Sequence, residues 1–232
     1  MSAPQTLTID IYSDVVCPWC AIGHGQLQQA LADLNGEIDA EIRWRPFELN
    51  PDMAPEGEEQ EAHLRRKYGR SAAEGTKLRD QMKRIAQDAG VSISYEGEID
   101  GGSDVAPAMV WNTRDCHKLL DVALEQAGPE IQTRLKLALF EAHFNHRRNL
   151  SDCKVLLDIA TAAGLHREAA KAALDDEVLE ARIAVMERQA WDLNITGVPA
   201  MIIAGKFMVP GAQGRETYAA VLRKVATKVS AD

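Results

Sequence analysis

Strand-like patterns near both ends of this 232-residue chain enclose a long interval of helical periodicity. Apolar and polar residues alternate over residues 7–15, as in a half-buried strand, and residues 40–49 form a second strand-like run after a helix-like stretch. From about residue 61 to residue 193, apolar residues recur at helical spacing. Two short β runs, PAMIIAG and KFMVPG, and a final amphipathic segment follow. The predicted order is therefore strand, helix, strand, a helical block, helix, two strands and helix.

This order of elements, with the helical block left out, is that of a thioredoxin fold. A strand joined through a helix to a parallel neighbour makes a right-handed crossover, and the predicted hairpin supplies an antiparallel edge. The sequence therefore predicts an α/β protein with a thioredoxin-like fold interrupted by an all-helical insertion domain. We expect a discontinuous thioredoxin-like domain of residues 1–60 plus 185–232 and an insertion domain of residues 61–184. Ligand chemistry in such a sheet falls at the carboxyl ends of the first strands.

The motif CPWC, residues 17–20, lies at that edge of the predicted sheet. A thiolate attacks a disulfide, and an unperturbed cysteine with a pKa near ~8.5 is mostly protonated at neutral pH. The positive end of a helix favours a negative sulfur, and two intervening residues let the second sulfur reach the first. We therefore predict Cys17 as the attacking, partly exposed thiolate and Cys20 as the buried resolving thiol. Pro18 suits the first helical turn, and Trp19 offers a bound polypeptide an apolar face without a titrating charge.

A second feature, Val198-Pro199, opens the first strand of the predicted hairpin. Proline removes one hydrogen bond from a strand, and an open groove tolerates this loss. A cis bond before proline is uncommon, at roughly 5% of such bonds, and usually has a reason. We expect a cis bond here, with the backbone N–H and C=O of Val198 offered to an extended substrate beside the disulfide.

Two other interpretations of Cys17 and Cys20 are an inert structural pair and half of a zinc site. Zinc needs two further ligands at suitable spacing, and the chain has no second CXXC. The candidate ligands are Cys116, His117, His143, His146 and Cys153. A close cysteine pair in this fold context favours redox catalysis, so the sequence predicts no metal.

The cysteines and histidines outside the motif have simpler interpretations. Cys116 and Cys153 lie in helical segments, where a lone cysteine is usually a small buried hydrophobe, and an auxiliary disulfide between them is the alternative. His24, one turn beyond the motif, is expected to be exposed. His143 and His146, three residues apart, are expected to be solvated or to cap a helix.

Composition argues against several partners. The formal net charge is −9, whereas binding to nucleic acid or to an anionic membrane needs a basic surface. No apolar stretch reaches the roughly 18 residues of a transmembrane helix. The first residues, MSAPQTLTIDIYSD, carry neither the basic nor the apolar region of a secretory signal, so we expect a cytoplasmic protein.

Several segments together resemble DsbA-like thioredoxin-fold oxidoreductases, and within them the FrnE-like subfamily. They are CPWC after the first strand, RPFELNPDMAPEG after the second, NTRDCHKLL and LFEAHFNHRRNLSD in the helical block, and TGVPAMIIAGKFMVPGAQ near the end. The resemblance implies thiol–disulfide exchange with thiol- or disulfide-containing proteins or with glutathione. It also implies a cis-proline loop, Val198-Pro199, that faces Cys17 and Cys20. It implies no metal and no organic cofactor beyond a thiol partner such as glutathione, and we expect a monomer or a homodimer.

Two further functions stay open at this point. Kappa-class glutathione transferases and 2-hydroxychromene-2-carboxylate isomerases resemble this architecture but typically lack the second active-site cysteine, whereas this chain retains Cys20. In such an enzyme, Gly214 and the amides after it would bind a glutathione carboxylate rather than form an ordinary helix start. A non-catalytic peptide-binding module is the other alternative. Because Trp19 adds no charge, the sequence leaves open whether the protein acts as an oxidase, a reductase or an isomerase.

Overall fold

The computed structural model of the protein describes residues 4–69, 72–97 and 105–231. Along the chain its elements are β1 (Gln5–Ser13), α1 (Pro18–Asp33), β2 (Ile38–Pro46), β3 (Glu58–Glu59), α2 (Gln60–Tyr68), α3 (Ala72–Asp88), β4 (Met109–Val110), α4 (Arg114–Phe144), α5 (Cys153–Ala163), α6 (Arg167–Leu174), α7 (Glu177–Asp192), β5 (Ala200–Ile203), β6 (Phe207–Pro210) and α8 (Arg215–Val229). Within the described ranges, no helix combines the length and the apolar character needed to cross a bilayer.

The main sheet contains four strands in the order β2-β1-β5-β6. β1 and β2 run parallel, and β5 is antiparallel to both β1 and β6. On β1 the predicted alternation is present, because Leu7, Ile9 and Ile11 are buried while the residues between them are partly exposed. The β5–β6 hairpin turns at Ala204 and Gly205, whose φ angles of 51° and 66° are typical of a tight hairpin turn. The predicted α/β class and thioredoxin-like fold are confirmed.

Two main hydrophobic cores organise the molecule. The first lies between the main sheet and helices α1 and α8, with contributions from α3 and α4, and contains Ile22 and Tyr218. The second lies among helices α4 to α7 and contains Leu119. We propose that the chain divides into the two expected domains, residues 1–60 plus 185–232 and residues 61–184, with α3 and α4 of the second also packing into the first core. The second boundary falls within α7, which is continuous across it.

The helical spacing of APAMVWNTRDCHKLLDVALEQAG predicts a helix from about residue 106, but α4 begins at Arg114 instead. The residues before it include β4, which pairs antiparallel with β3. A small two-stranded sheet therefore joins β4, inside the helical block, to β3 just before it, and the helical spacing did not indicate this sheet.

Gly128 suits a helix end and Pro129 a first helical position, so the sequence predicts a helix boundary there, and the structure has one. Gly128 has φ 85° and ψ 175°, so α4 consists of two helical stretches, the second of which opens with Pro129. Glycine adopts a positive φ without steric cost, and proline fits a first helical turn. Asp152 and Asp176 cap α5 and α7, and each side chain accepts two backbone N–H bonds. Helix boundaries that depend on glycine, proline and capping residues can be predicted from the sequence.

Candidate active site

The CPWC motif lies just beyond the carboxyl end of β1, where the chain enters α1. Cys17 is the N-cap residue with extended backbone angles (φ −92°, ψ 110°), and Pro18 is the first helical residue. The N–H that Pro18 lacks would form no hydrogen bond within the helix at that position. The amide of Cys20 donates to the carbonyl of Cys17 at 3.1 Å, and both thiols are free in this structure. The motif therefore starts the helix and places both sulfurs at its positive end.

Cys17 is more enclosed than the sequence indicated. Its exposure is 4%, in place of the partial exposure that we expected, and Cys20 is fully buried. The Cys17 thiol donates to the carbonyl oxygen of Val198 across 3.6 Å. A loop 181 residues away in sequence thus covers the first thiol, and no local pattern could reveal that contact. Trp19, between the cysteines, is 42% exposed and therefore available to a substrate.

The loop that contacts Cys17 is held by contacts on both sides. Val198 and Pro199 are joined by a cis peptide bond. Gly23 of α1 allows the close approach, because a Cβ at that position would lie 3.2 Å from the Pro199 ring. The Pro199 carbonyl accepts from the Gly211 amide at 2.8 Å. These contacts keep the Val198 carbonyl facing the first thiol.

Cys17 and Cys20 ionise as a pair. The hydrogen bond with Cys20, together with burial, raises the pKa of Cys17 well above that of an ordinary thiol. Burial also acts to raise the pKa of Cys20, but the hydrogen bond from Cys17 and the charge of Lys136 outweigh it, so the pKa of Cys20 is lowered. The pair therefore loses a first proton easily and holds the second strongly. The sequence predicted a stabilised thiolate at Cys17, whereas the surroundings in the structure lower the pKa of Cys20 and raise that of Cys17.

The positive charge beside the pair comes from the helical block. Lys136 of α4 is fully buried, and its Nζ donates to the Ser13 carbonyl at 3.4 Å. The ammonium lies 5.3 Å from the ring centre of Trp44 and 5.0 Å from that of Phe140, and such cation–π contacts replace part of its hydration. Burial lowers the pKa of Lys136, and the negative groups of the site oppose that lowering. Sequence analysis missed this residue because Lys136 and Ser13 are 123 positions apart.

A buried carboxylate, Asp14, connects the motif to the end of β2. Its Oδ2 accepts from the Leu49 amide at 2.7 Å, and its Oδ1 lies 3.4 Å from the Val16 nitrogen and 3.8 Å from His117 Nε2. Burial acts to raise the pKa of Asp14, but the nearby His117 and the hydrogen bond from the Leu49 amide outweigh it and lower the pKa. Asp14 therefore stays ionised. With Lys136 it forms a buried pair of opposite charges that acts on the dithiol.

A groove of about 420 Å³ opens at Cys17. Three of the four residues that the sequence suggested for substrate binding, Pro18, Trp19 and Val198, line this groove, while Pro199 does not. Another wall is formed by α2 and α3, whose lining residues include Gln60, His63, Lys67, Leu78, Arg79 and Met82. The helical block therefore supplies much of the surface that a substrate would meet.

The wall formed by α2 and α3 carries positive charge. Lys67 is held in place by its Nζ, which donates to the Leu49 carbonyl at 2.8 Å and to the Asn50 side chain at 2.7 Å. Arg79 of α3 lines the same groove. Although the whole chain is acidic, an anionic group entering this groove would meet favourable charge.

Two histidines line the groove, of which the sequence analysis missed His63 and predicted the wrong surroundings for His143. His63 lies on α2 without any motif around it, and its Nδ1 is 2.7 Å from Glu58 Oε2. His143, which we expected to be solvated or capping, is 5% exposed, and burial lowers its pKa to about 4. His146 lies outside the groove, 3.2 Å from Glu141 Oε1. Helical periodicity alone did not distinguish these positions.

The other cysteines and His24 do not line the groove. Cys116 is buried and its thiol donates to the Leu150 carbonyl at 3.7 Å, whereas Cys153 is exposed, and both thiols are free. His24 is buried rather than exposed; its ring centre lies 5.2 Å from that of Trp44, and burial lowers its pKa to about 4. Among the described residues, no three His, Cys, Asp or Glu side chains gather in a way that could hold a metal ion.

A separate cavity of about 530 Å³ lies between α1, α4 and the chain that follows α3. Its lining includes His24, Gln28, Val91, Leu137 and Phe140. Neither Cys17 nor Cys20 lines it, so the dithiol chemistry belongs to the smaller groove. Gly214, the N-cap residue of α8, lines neither cavity.

The strand order of the main sheet and the dithiol at the start of α1 place this chain in the class of thioredoxin-fold thiol proteins. A family model narrows that class, because the DSBA-like thioredoxin domain matches residues 8–223, nearly the whole chain. This chain belongs to the DSBA-like thioredoxin domain family, and it has the fold of a DsbA-like thiol oxidoreductase.

Three solved structures are similar over most of their length. The probable DsbA oxidoreductase SCO1869 from Streptomyces coelicolor is 28% identical with a TM-score of 0.80, covering 94% of this chain and 89% of that one. A 2-hydroxychromene-2-carboxylate isomerase is 14% identical with a TM-score of 0.65, covering 96% and 98%. The cytosolic disulfide reductase DsbM from Pseudomonas aeruginosa, solved with GSH, is 21% identical with a TM-score of 0.60, covering 94% and 98%. The last two similarities show a shared fold and leave the reaction open.

Proposed function

We propose that the protein is a thiol–disulfide oxidoreductase that exchanges disulfides with protein thiols or small thiols through Cys17 and Cys20. The observation that carries this proposal is the position of two free thiols at the start of α1, where Cys17 lines the groove and its thiol lies 3.6 Å from the Val198 carbonyl oxygen. The lowered pKa of Cys20 favours a thiolate within the pair. Membership of the DSBA-like thioredoxin domain family supports the same chemistry.

Cys17 lines the groove and Cys20 does not, so a substrate disulfide would react first at Cys17. Transfer of the Cys17 proton to Cys20 puts the negative charge on Cys17, the sulfur of the pair that a substrate can approach. Cys17 then attacks a substrate disulfide; a bond forms between Cys17 and one substrate sulfur, and the electron pair of the broken bond leaves with the other. Cys20 loses its proton and attacks the Cys17 sulfur, which releases the second substrate thiolate and leaves a Cys17–Cys20 disulfide. The reverse sequence oxidises a dithiol substrate.

The groove suits a substrate with an extended backbone and negative charge. The Val198 backbone can pair with an extended chain, while Lys67 and Arg79 attract carboxylates. Glutathione has both features, and the fold neighbour DsbM was solved with GSH. We propose glutathione as the small-molecule partner, with protein thiols as further substrates, no resident metal or organic cofactor, and a cytoplasmic setting like that of DsbM.

Replacing each cysteine in turn tests this function. Cys17→Ser should abolish exchange because the nucleophile is lost, and Cys20→Ser should accumulate a mixed disulfide that no second thiol resolves. Mass spectrometry of the reduced protein after incubation with glutathione disulfide measures both outcomes. Both variants are made in a Cys153→Ser background, because that exposed thiol would otherwise react as well. The background protein itself should exchange disulfides like wild type.

Other outcomes would point to other functions. Full exchange activity in the Cys17→Ser protein would contradict the proposed mechanism. Saturable, non-covalent glutathione binding with turnover that survives the loss of Cys20 would favour a glutathione-dependent transferase or isomerase. Peptide binding that is indifferent to both cysteines would favour a binding module.

A further inference from the structure

The CPWC motif contains no side chain that can transfer a proton besides its own thiols, because Trp19 and Pro18 occupy the two positions between the cysteines. Disulfide exchange nevertheless expels a substrate thiolate, and a thiolate whose pKa is near ~8.5 becomes a thiol at neutral pH. A proton donor elsewhere in the groove would assist this departure. In this groove such a group would lie on the walls formed by the helical block.

His63 of α2 lines the groove together with Cys17. It is buried, and its Nδ1 lies 2.7 Å from Glu58 Oε2. Arg66 holds the same carboxylate with two bonds, from Nε at 3.0 Å and from Nη2 at 2.6 Å. The bonds from Arg66 and then from His63 lower the pKa of Glu58 to about 2, so this carboxylate is ionised across the neutral range. Arg66 Nη2 lies 3.4 Å from the same Nδ1, but the ionised carboxylate at 2.7 Å is the nearer partner and favours a proton on that nitrogen. Nε2 is then the nitrogen available for proton transfer.

The other titratable groups of the groove are less suited to this role. Burial lowers the pKa of His143 to about 4, so its imidazole is neutral near pH 7 and is a poor proton donor. Burial raises the pKa of Tyr95, so its phenol keeps its proton. Lys67 is engaged by Leu49 and Asn50. The charged or titratable residues that line the groove with His63 are Cys17, Lys67, Tyr68, Arg79, Tyr95 and His143.

We propose that His63 is the acid–base residue of this groove, that its Nε2 protonates the departing substrate thiolate, and that Glu58 orients it. In the reverse direction the same nitrogen accepts the proton of an attacking substrate thiol. This inference rests on the proposed function. Cys17, His63 and Glu58 then act as nucleophile, acid–base group and orienting group, the division of roles found in enzymes with an activated nucleophile. The elements α2 and β3 thereby supply what the CPWC motif lacks.

In one exchange, the departing sulfur receives an electron pair from the broken S–S bond and a proton from His63. The Cys17 thiolate forms a bond to one substrate sulfur, the substrate S–S bond breaks, and its electron pair stays on the departing sulfur. Protonated His63 transfers its Nε2 proton to that sulfur, so a thiol leaves and the imidazole becomes neutral. Solvent returns the proton, and the substrate disulfide is the only oxidant consumed. A departing sulfur that is stable as a thiolate gains little from this transfer, so the effect of His63 depends on the leaving group.

Two disulfides with different leaving groups test the proposal in a Cys153→Ser background. Glutathione disulfide releases an alkyl thiol of ordinary pKa, whereas 5,5′-dithiobis(2-nitrobenzoate) releases an aromatic thiolate that is stable without a proton. In His63→Gln we expect the single-turnover rate with glutathione disulfide to fall by about 10- to 100-fold, and the rate with the aromatic disulfide to change by less than about twofold. Both substrates carry carboxylates, so a general loss of positive charge would slow both. His166→Gln, at an exposed histidine before α6, is the matched control.

The rates with the two disulfides distinguish the alternative outcomes. Equal slowing with both disulfides would overturn the proposal and leave His63 with a structural or electrostatic role, and unchanged rates with both would overturn it too. If His63→Gln unfolds at a lower temperature than wild type, folded His63→Ala with added imidazole is the second measurement. Restoration of the glutathione disulfide rate by imidazole supports the acid–base role, and no restoration opposes it. Failure of the proposed function differs from all of these, since the unmodified groove would then react with neither substrate through Cys17.

Discussion

At the scale of single residues, buried charge decides how reactive the dithiol is. The hydrogen bond from Cys17 and the ammonium of Lys136 together lower the pKa of Cys20 against the effect of burial. The ionised Asp14 acts in the opposite direction on Cys17. Because both charges are buried, solvent screens them little, and each has a larger effect than a surface charge would.

Lys136→Met should raise the pH at which the reduced dithiol ionises by about one unit, because the buried positive charge that favours the thiolate is lost. Methionine retains a flexible apolar chain beside the rings of Trp44 and Phe140. Thiolate absorbance of the reduced protein across pH measures the change, and Lys171→Met, on the exposed face of α6, is the control. A titration identical to that of wild type would show that Lys136 does not act on the pair. The reduction potential should also become more negative, since the reduced state is less stabilised.

At the scale of elements, the position of α1 decides where the dithiol lies. Gly25 of α1 packs against the chain that follows α3, where a Cβ would lie 2.5 Å from the Ala89 carbonyl oxygen and 2.5 Å from Val91 Cγ2. A backbone atom in a packed interior yields less readily than the end of a flexible side chain. The close approach of these segments therefore requires a residue without a side chain at position 25.

Gly25→Ala should destabilise the protein by about 1–3 kcal/mol, because the added methyl group overpacks this contact. It should also slow disulfide exchange, since the displaced helix carries Cys17 and Cys20. Gly75→Ala in α3 is the matched control, because a Cβ there meets nothing within 4 Å. Alanine is favoured over glycine in a helix by about 0.5–1 kcal/mol, so this variant should be more stable than wild type. Urea unfolding measures both, and a similar change in the two variants would contradict the packing argument.

At the scale of the whole molecule, a buried ionic cluster joins the sheet to the helical block. Glu48, just after β2, has a side chain that is 1% exposed and lies 2.5 Å from Nη2 of Arg114 at the start of α4. Its amide donates to Glu187 of α7 at 2.9 Å, and Arg114 lies 3.1 Å from the same carboxylate. Burial and then the charge of Glu187 raise the pKa of Glu48 to about 8. The junction between the two main cores therefore holds a proton near neutral pH.

This cluster should make the protein less stable as the pH rises from about 5 to about 8. The pKa of Glu48 is about 8 in the folded chain against an ordinary 4.5, so in that interval the folded state binds a proton that the unfolded state has lost. The free energy of unfolding then falls with pH, by at most about 1.4 kcal/mol per pH unit for one proton. Glu48→Gln should flatten this decline, whereas Glu130→Gln, at an exposed carboxylate, should keep it. Parallel profiles for wild type and Glu48→Gln in urea unfolding at several pH values would exclude Glu48 as the cause.

Prediction from sequence succeeded where a feature depends on neighbouring residues. Alternation predicted β1, a second strand-like run predicted β2, and helical spacing, with Ser151 or Asp152 as the possible N-cap, predicted α5. The glycine and proline at 128–129 marked the break in α4. The start of α4 was predicted wrongly because β4 forms by pairing with β3, a partner that lies far away along the chain.

The sequence by itself determined the α/β order of elements, the helix start at CPWC and the position of Cys17 and Cys20 after β1, because periodicity and capping act over a few residues. The tertiary structure alone decided which groups surround the dithiol. Lys136 and His63 reach the site because α4 and α2 pack against the sheet and the groove, and the burial of His143 follows from the same packing. Burial and charge proximity set pKa values, and both arise only when distant segments are brought together.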